Sequence, residues 1–244
     1  MKTIRPAPGL AEQVYQAILD EICDGALAPG EHLVQEQLAE RLGVSRQPIQ
    51  QAMALLKADG MVEDVGKRGV RVAPLDLDLM RHHYDIRAAL DGLAARAAAE
   101  RARVNPAMAA DLRRRGRAIL AAGEAAVAKG AVREQIRHDE RLHALIYEAS
   151  GNPLLARTAE PHWRFLRRVM GEVLRHGEPP RTIWRQHAEI LDAIVAGDPA
   201  LARDRAVSHI LMAADMLASA FADGATAEMA ADTAPAPGRR AARA

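Results

Sequence analysis

The most constraining feature of this 244-residue sequence is a glycine that separates two short amphipathic segments near the N-terminus. Before it, Val34, Leu38 and Leu42 recur at four-residue intervals, which predicts one apolar face of a helix. Gly43 can take a left-handed backbone conformation at little cost and therefore predicts a sharp helix end. Ser45 then offers a favourable N-cap for a second helix. Two short helices joined in this way predict a helix-turn-helix, whose second helix can enter the DNA major groove.

A β-hairpin is predicted directly after these helices. Two short runs, 61–65 and 70–72, flank the glycine-rich turn Gly66–Gly69, and the second run alternates apolar and basic residues. The basic residues Lys67, Arg68 and Arg71 cluster there. An amphipathic helix before the helix-turn-helix, at 10–24, is expected to pack behind it. Residues 1–74 are therefore predicted to form a winged helix-turn-helix domain with a small β-hairpin.

The residue identities in this region point to a particular protein family, which the periodicity alone does not. Pro29-Gly30-Glu31, Leu38-Ala39-Glu40, the run from Gly43 to Pro48 and Lys67-Arg68-Gly69-Val70 together resemble the GntR family of bacterial transcription regulators. The resemblance implies that double-stranded operator DNA is the partner. It implies a recognition helix and a wing that contact this DNA through the following residues: Ser45, Arg46, Gln47, Gln50, Lys67, Arg68, Gly69 and Arg71.

One position departs from the family pattern. The family usually carries an arginine four residues after Arg46, whereas this chain has Gln50 followed by Gln51. Glutamine can read adenine through two hydrogen bonds but cannot neutralise a phosphate. We therefore expect the preferred operator to differ from the family's commonest one.

Composition narrows the remaining possibilities. Hydrophobic residues make up 49% of the chain and aromatic residues only 3%, which favours an alanine- and leucine-rich helical core. The single Cys23 allows no internal disulfide, and no apolar run approaches a membrane span, so a cytoplasmic location is expected. The first 74 residues contain eight Lys and Arg against ten Asp and Glu, so DNA binding is predicted from the placement of the basic residues.

The rest of the chain carries helix signals only. Six helices with short connections predict a mainly α protein whose residues 79–222 form an antiparallel bundle, a helical ligand-binding and dimerisation domain. Pro161 lies inside the fourth helical pattern and predicts a kink or a break there. Residues 223–244, rich in Ala and Pro, are predicted to be a disordered tail.

Polar residues interrupt the inward-facing stripes of three of these helices. Asp139 and His143 lie one turn apart on the third helix, His187 lies amid isoleucines on the fifth, and His209 lies amid alanines on the sixth. Each of these histidines alone is more typical of a hydrogen-bonded core position. Together, one carboxylate and three imidazoles directed towards a common interior suit a divalent metal, with zinc, nickel or manganese preferred.

The same residues, with Gly151-Asn152-Pro153-Leu154 between them, resemble the FCD ligand-binding domain carried by one branch of the GntR family. That resemblance implies a metal held by Asp139, His143, His187 and His209, and a small organic acid beside it. It places Arg87 in the first bundle helix, either as the partner of the acid's carboxylate or as an ordinary surface ion-pair residue. The family often has glutamate where this chain has Asp91.

Three functions are compatible with these patterns. The favoured one is a dimeric transcription regulator whose DNA binding is controlled by a small carboxylate. We expect it to act as a repressor, which is the commoner mode in the family that it resembles. A helical metal-dependent phosphohydrolase would instead use His83, His138-Asp139 and Asp192 or Asp215. A third possibility is a DNA-binding dimer whose bundle is only a scaffold. No nucleophile motif, phosphate loop or dinucleotide fingerprint is present, so an enzyme is not expected.

Overall fold

The computed structural model describes residues 9–66, 69–176 and 181–232. Within these ranges it contains nine helices and one two-stranded antiparallel sheet, which confirms the predicted mainly α fold. The elements are α1 (Leu10–Cys23), α2 (Gln35–Leu42), α3 (Arg46–Ala58), β1 (Val62–Val65), β2 (Gly69–Val72), α4 (Leu77–Val104), α5 (Pro106–Ala128), α6 (Val132–Ser150), α7 (Pro153–His176), α8 (Arg181–Val195) and α9 (Pro199–Asp232).

The N-terminal domain is a winged helix-turn-helix. Helices α1 and α3 bury Ile18 and Ile49 at 1% and 0% exposure, and β1 pairs with β2 from Val62↔Val72 onwards. A third backbone segment joins the wing, because the amide of Leu33 donates to the carbonyl of Val70 at 2.8 Å. The wing is thereby attached to the segment that precedes α2, which fixes its position relative to the recognition helix α3.

Two local details differ from the sequence prediction. Gly43 has φ of 64° and ends α2 as predicted. However, Val34 precedes the first turn of α2 and is 46% exposed, so of the three predicted residues only Leu38 and the half-buried Leu42 belong to the apolar face, beside the buried Ala39. Ser45 occupies the N-cap position of α3 without a side-chain capping hydrogen bond. Periodicity identified the buried face of α2 but did not locate where that helix begins.

Helix α4 is the central element of the C-terminal bundle. Ala94, Ala95, Ala98 and Ala99 are completely buried, and small side chains of this kind let neighbouring helices approach closely. A Cβ atom on Gly92 would lie 2.7 Å from a methyl group of Val207 in α9. The close packing of α4 places its functional side chains against α6, α7 and α9.

Two predictions about the last helices were wrong in part. Helix α7 continues through Pro161 without a break, because the flanking residues Trp163 and Ala159 are buried in the core and hold the helix in place. Helix α9 continues to Asp232 and so includes the first part of the segment predicted as a disordered tail. Alanine, which is abundant in that segment, has the highest helix propensity of any residue. Residues 233–244 lie outside the described residues.

Helices α6 and α7 also hold the winged domain. From α7, Arg164 lies 3.3 Å from the hydroxyl of Tyr15, and the guanidinium of Arg168 donates to the carbonyl of Ala73. Further ion pairs across this junction join Arg133 to Asp24 and Arg167 to Asp20. The two domains therefore meet through charged and polar side chains.

Packing of Trp184 against α5 gives a stability prediction. A Cβ on Gly123 would lie 1.9 Å from the Trp184 ring, so Gly123→Ala forces the indole to move. We expect a loss of about 1–3 kcal/mol in the free energy of unfolding. Urea denaturation measures it. The exposed neighbour substitution Ala121→Gly should show ordinary helix propensity, with a loss of about 1 kcal/mol. Stabilisation by Gly123→Ala would contradict this packing.

Candidate functional site

Three helices bring four predicted side chains together in the bundle interior. Asp139 and His143 come from α6, His187 from α8 and His209 from α9, and one potential ligand atom from each lies within 4.8 Å of the others. The Nε2 atom of His187 is 3.1 Å from Asp139 Oδ1 and 3.0 Å from His209 Nε2. These separations resemble the roughly 3.3 Å between neighbouring ligands in a tetrahedral site with bonds of about 2.0–2.1 Å.

Burial keeps two of these imidazoles, those of His187 and His209, in the neutral form that binds metals. His143, His187 and His209 are all at most 3% exposed. Burial lowers the pKa of His187 and lowers that of His209 well below its ordinary value, so both rings are neutral ligands at pH 7. Burial alone would raise the pKa of Asp139, but the hydrogen bond with His187, the neighbouring imidazoles and the positive charge of Arg87 together outweigh burial and hold the pKa below the usual range. The carboxylate is therefore ionised.

The outer nitrogens of two imidazoles are held by other side chains. Asp91 Oδ1 lies 2.6 Å from His143 Nδ1, and Gln186 Oε1 lies 3.0 Å from His209 Nδ1. Such partners fix the ring orientation and the tautomer of metal-bound histidines. His143 Nε2 faces the cluster and is buried without a hydrogen-bond partner among the described residues. A buried acceptor of this kind is costly, and a divalent ion would satisfy it. The four side chains thus fit a metal ion.

Arg87 and Asp91 form a buried ion pair at the edge of the cluster. Both side chains are 2% exposed, and Arg87 Nε lies 3.3 Å from Asp91 Oδ2. Asp91 also accepts a hydrogen bond from the hydroxyl of Tyr147 at 2.9 Å, and the Arg87 guanidinium stacks 3.7 Å above the Trp163 ring. Burial opposes ionisation of Asp91, yet Arg87 and His143 hold its pKa below the usual value. Arg87 is therefore not a surface ion-pair residue.

A cavity opens beside the cluster. Asp139, His209 and Arg87 all line this cavity. One guanidinium nitrogen of Arg87, Nη2, is buried without a hydrogen-bond partner among the described residues. The free volume is about 50 Å³, which is room for a few water molecules or a small organic molecule. An anionic group placed here could contact both Arg87 and a metal.

The residues required by the phosphohydrolase alternative lie apart. His83 Nδ1 faces His162 Nδ1 at 2.9 Å on the α4–α7 side, and the ring of His83 stacks on Phe165. Asp192 pairs with Arg117 on the exposed surface between α8 and α5. Asp139 is thus grouped with His143, His187 and His209 rather than with His83 and Asp192. The side chains needed for that chemistry are not assembled in the described residues.

The predicted DNA contacts in α3 form an exposed surface. Ser45, Arg46, Gln47 and Gln50 are all solvent-exposed at or near the start of the helix. Arg46 Nη2 pairs with Glu36 Oε1 at 2.6 Å, and both side chains are more than 60% exposed. An exposed pair of this kind contributes little stability. Arg46 is therefore free to exchange its carboxylate partner for a phosphate or a base.

The wing carries the remaining predicted contacts. Arg71 pairs with Glu63 across the hairpin at 2.6 Å and stays 42% exposed. Gly69 begins β2, and a Cβ there would lie 2.8 Å from the carbonyl oxygen of Val65, so the tight turn requires a glycine. Lys67 and Arg68 lie outside the described residues.

Several site residues escaped sequence reasoning. Gln135 shares the stripe of Asp139 one turn earlier, and Gln186 precedes His187, so both had a positional signal. Asp91 was noted only as a change from glutamate, and its contact with His143 joins residues 52 apart in the chain. Trp163 had no sequence signal, because its contact with Arg87 depends on how α7 packs on α4.

A winged helix-turn-helix joined to an all-helical domain is the architecture of a class of DNA-binding transcription regulators. The sequence model of the FCD domain matches residues 82–211, and that of the bacterial regulatory proteins of the gntR family matches residues 10–72. The chain belongs to the GntR family, in the branch that carries the FCD domain.

Individual relatives agree with this assignment. The HTH-type transcriptional repressor RspR of Escherichia coli is 25% identical over 195 residues, covering 80% of this chain and 83% of RspR. An uncharacterised HTH-type regulator of Streptomyces ambofaciens is 28% identical over 207 residues, covering 81% and 80% of the two chains. The solved structure of Escherichia coli McbR/YncC shares the fold, with a TM-score of 0.71 at 23% identity over 87% of this chain and 99% of that one.

A bilayer span requires a helix that is both long and strongly apolar. No helix in the described ranges meets both requirements.

The buried ion pair gives a second prediction. Asp91→Ala leaves Arg87 and His143 without their partner, so we expect a loss of about 3–5 kcal/mol in the free energy of unfolding. Asp204→Ala is the matched control, because Asp204 is 69% exposed beside Arg203 and should cost at most about 1 kcal/mol. Urea denaturation in the presence of a chelator measures both without a metal contribution. Equal losses would show that Asp91 is not a structural centre of the site.

Proposed function

We propose that this chain is a cytoplasmic repressor whose operator binding is controlled by a small carboxylate bound beside a divalent metal in the helical domain. The observation that carries the proposal is the buried cluster of Asp139 and three histidines next to Arg87. Metal ion and guanidinium are the two groups that bind carboxylates most strongly in proteins. RspR, a relative of similar length, is named a repressor.

The four ligands suit zinc, nickel or manganese better than calcium or magnesium, which prefer oxygen. When bound, the metal supplies a positive charge and open coordination positions for an acid. The protein's own side chains supply the remaining contacts with the acid and keep the metal ligands oriented. Arg87 offers the unpaired Nη2 to the carboxylate, while Asp91 and Gln186 keep two imidazoles oriented.

Helices α6 and α7 link the site to the winged domain. On α6, Asp139 faces the cluster and its neighbour Glu140 pairs with Arg167 of α7 at 3.0 Å. On α7, Trp163 contacts Arg87 and the next residue, Arg164, contacts the winged domain. A ligand that binds one placement of these helices more tightly shifts the population towards it, and the winged domains move with α7.

We further propose a two-fold dimer held by the helical domain, since one winged domain contacts only one half-site. Leu79, Ile86 and Leu93 recur every seven residues on the outer face of α4 and are 39–46% exposed. A seven-residue apolar stripe is the spacing at which two helices pack side by side. A second copy of this chain is the partner we assign to it.

DNA binding tests the role of α3. Operator duplexes selected from a random library should bind wild-type protein, and Arg46→Ala should weaken that binding about 10–100-fold through lost contacts in the major groove. Lys67→Ala should weaken specific and non-specific duplexes alike. Arg41→Ala is the control, since Arg41 is exposed on α2 and pairs with Glu21 away from this surface. Full affinity in Arg46→Ala would remove the assignment.

Metal content tests the buried cluster. Protein purified without a histidine tag should hold one divalent ion per chain by elemental analysis, and a chelator should lower its melting temperature because the ion binds only the folded state. His187→Ala should weaken metal binding by more than the 10–100-fold typical of outer-shell partners, whereas the exposed His82→Ala should not. No metal and no thermal shift with zinc, nickel or manganese would leave a hydrogen-bonded core cluster and a scaffold bundle.

Sedimentation tests the dimer. Wild-type protein should sediment as a dimer, and Ile86→Lys should shift it towards monomer because a charge is buried in the apolar stripe. Leu154→Lys, at an exposed position of α7, is the matched control. The 1–74 fragment should be monomeric. A dimeric Ile86→Lys variant would exclude this face of α4.

A further inference from the structure

The cavity beside the cluster has two chemically different walls. The wall from α4 and α6 carries the polar side chains of Tyr84, Arg87, Gln135 and Asp139, with Ile136 as its one apolar residue. Apart from His209, the wall from α7, α8 and α9 is apolar and is formed by Met170, Leu174, Ile183, Trp184, Ile210, Ala213, Met216 and Leu217. A ligand that fills this cavity must therefore be polar on one side and apolar on the other.

The polar wall provides for one carboxylate. Arg87 is the only cationic side chain among the described residues that line the cavity, and its Nη2 atom is buried without a partner. The metal would be a second cationic group, and one carboxylate placed between Arg87 and the metal position contacts both. A second carboxylate would then lie against methionine and leucine side chains, or against the ionised Asp139. A buried charge without a partner is strongly disfavoured.

The neutral polar groups of this wall can hydrogen-bond few further polar substituents of a ligand. Tyr84 lies one turn before Arg87 on α4, and Gln135 lies one turn before Asp139 on α6. Helices α4 and α6 run in the same direction, because Asp91 meets His143 and Arg101 meets Ala149. Tyr84 and Gln135 therefore lie at the same level of the cavity and can satisfy one neutral polar substituent. A polyhydroxylated chain would leave several hydroxyl groups unpaired against the apolar wall.

We propose that the effector is a short monocarboxylate with an apolar carbon skeleton, rather than a dicarboxylate or a polyhydroxy acid. The proposal rests on the function proposed above and assigns the chemical class that this site selects. The carboxylate binds at Arg87 and the metal position, and the skeleton packs on Met170, Trp184 and Met216. The free volume of about 50 Å³ limits that skeleton to a few carbon atoms.

Three four-carbon acids test this class on the full-length, zinc-loaded chain. Butanoate has one carboxylate and no other polar group, succinate has two carboxylates, and threonate has one carboxylate and three hydroxyl groups. By isothermal titration calorimetry, butanoate should bind about tenfold more tightly than either of the others, or better. Succinate or threonate binding as tightly as butanoate would overturn the proposal, and so would no binding of any of the three.

The failure of this proposal and the failure of the proposed function remain distinguishable. Zinc content and operator affinity are measured on the same preparation. Binding of succinate in place of butanoate, with zinc and operator binding intact, overturns the effector class alone. Loss of stoichiometric zinc overturns the metal site itself.

Two variants test which residues of the cavity determine its selectivity among these acids. Arg87→Lys keeps a cation opposite Asp91 but lacks the planar guanidinium, so it should weaken butanoate binding at least about tenfold while zinc remains bound. Arg205→Gln, which changes an exposed arginine on α9, should have no effect. Met216→Gln keeps Arg87 and places a hydrogen-bonding group on the apolar wall. It should weaken butanoate binding and strengthen threonate binding by severalfold each. Unchanged ratios in a folded Met216→Gln protein would show that this wall does not select the ligand.

Discussion

The ion pair between Arg87 and Asp91 is the interaction on which the helical domain depends. Neither charge can be removed from water without the other, because each unpaired ion would cost several kcal/mol at 2% exposure. Asp91 also meets His143 and Tyr147 of α6, and Arg87 meets Trp163 of α7. The pair therefore fixes three helices at one level and sets the position of a candidate metal ligand.

Helices α6 and α7 have a second set of contacts on their outer faces. Arg167 bridges Glu140 and Asp20, so one guanidinium connects the residue next to Asp139 with helix α1 of the winged domain. Arg164 lies one residue after Trp163 and reaches Tyr15. Inner and outer contacts of α7 thus alternate along one rigid element. The proposed regulation therefore has to connect the cluster with the winged domain only across the width of helix α7.

Periodicity carried the sequence prediction a long way. Because a helix repeats every 3.6 residues, the stripes placed Asp139, His143, His187 and His209 on interior faces, and the structure brings them together. The motifs predicted the winged helix and the helical domain, and the matches to the two family models confirm both. A helix end was predicted well where a glycine stops the helix, as at Gly43, which has positive φ.

Sequence reasoning failed where the deciding contact comes from elsewhere in the fold. Val34 continued an apolar pattern but precedes the helix, so it is exposed. Pro161 does not break α7, because packing against the core outweighs the loss of one backbone hydrogen bond. The partnership of Asp91 with His143, and the stacking of Arg87 on Trp163, depend on how α4, α6 and α7 pack. A pattern within one helix contains no record of that packing.

The most direct test of the proposed coupling is a measurement of zinc affinity with and without saturating operator DNA. Linkage requires that if occupancy of the buried site changes operator affinity, the operator must change zinc affinity by the same factor. We predict a change of at least about fivefold, the lower end of ordinary allosteric coupling, and its loss in an Arg167→Ala variant that still binds both. Identical zinc affinities for free and operator-bound protein would contradict a connection between the cluster and the winged domain.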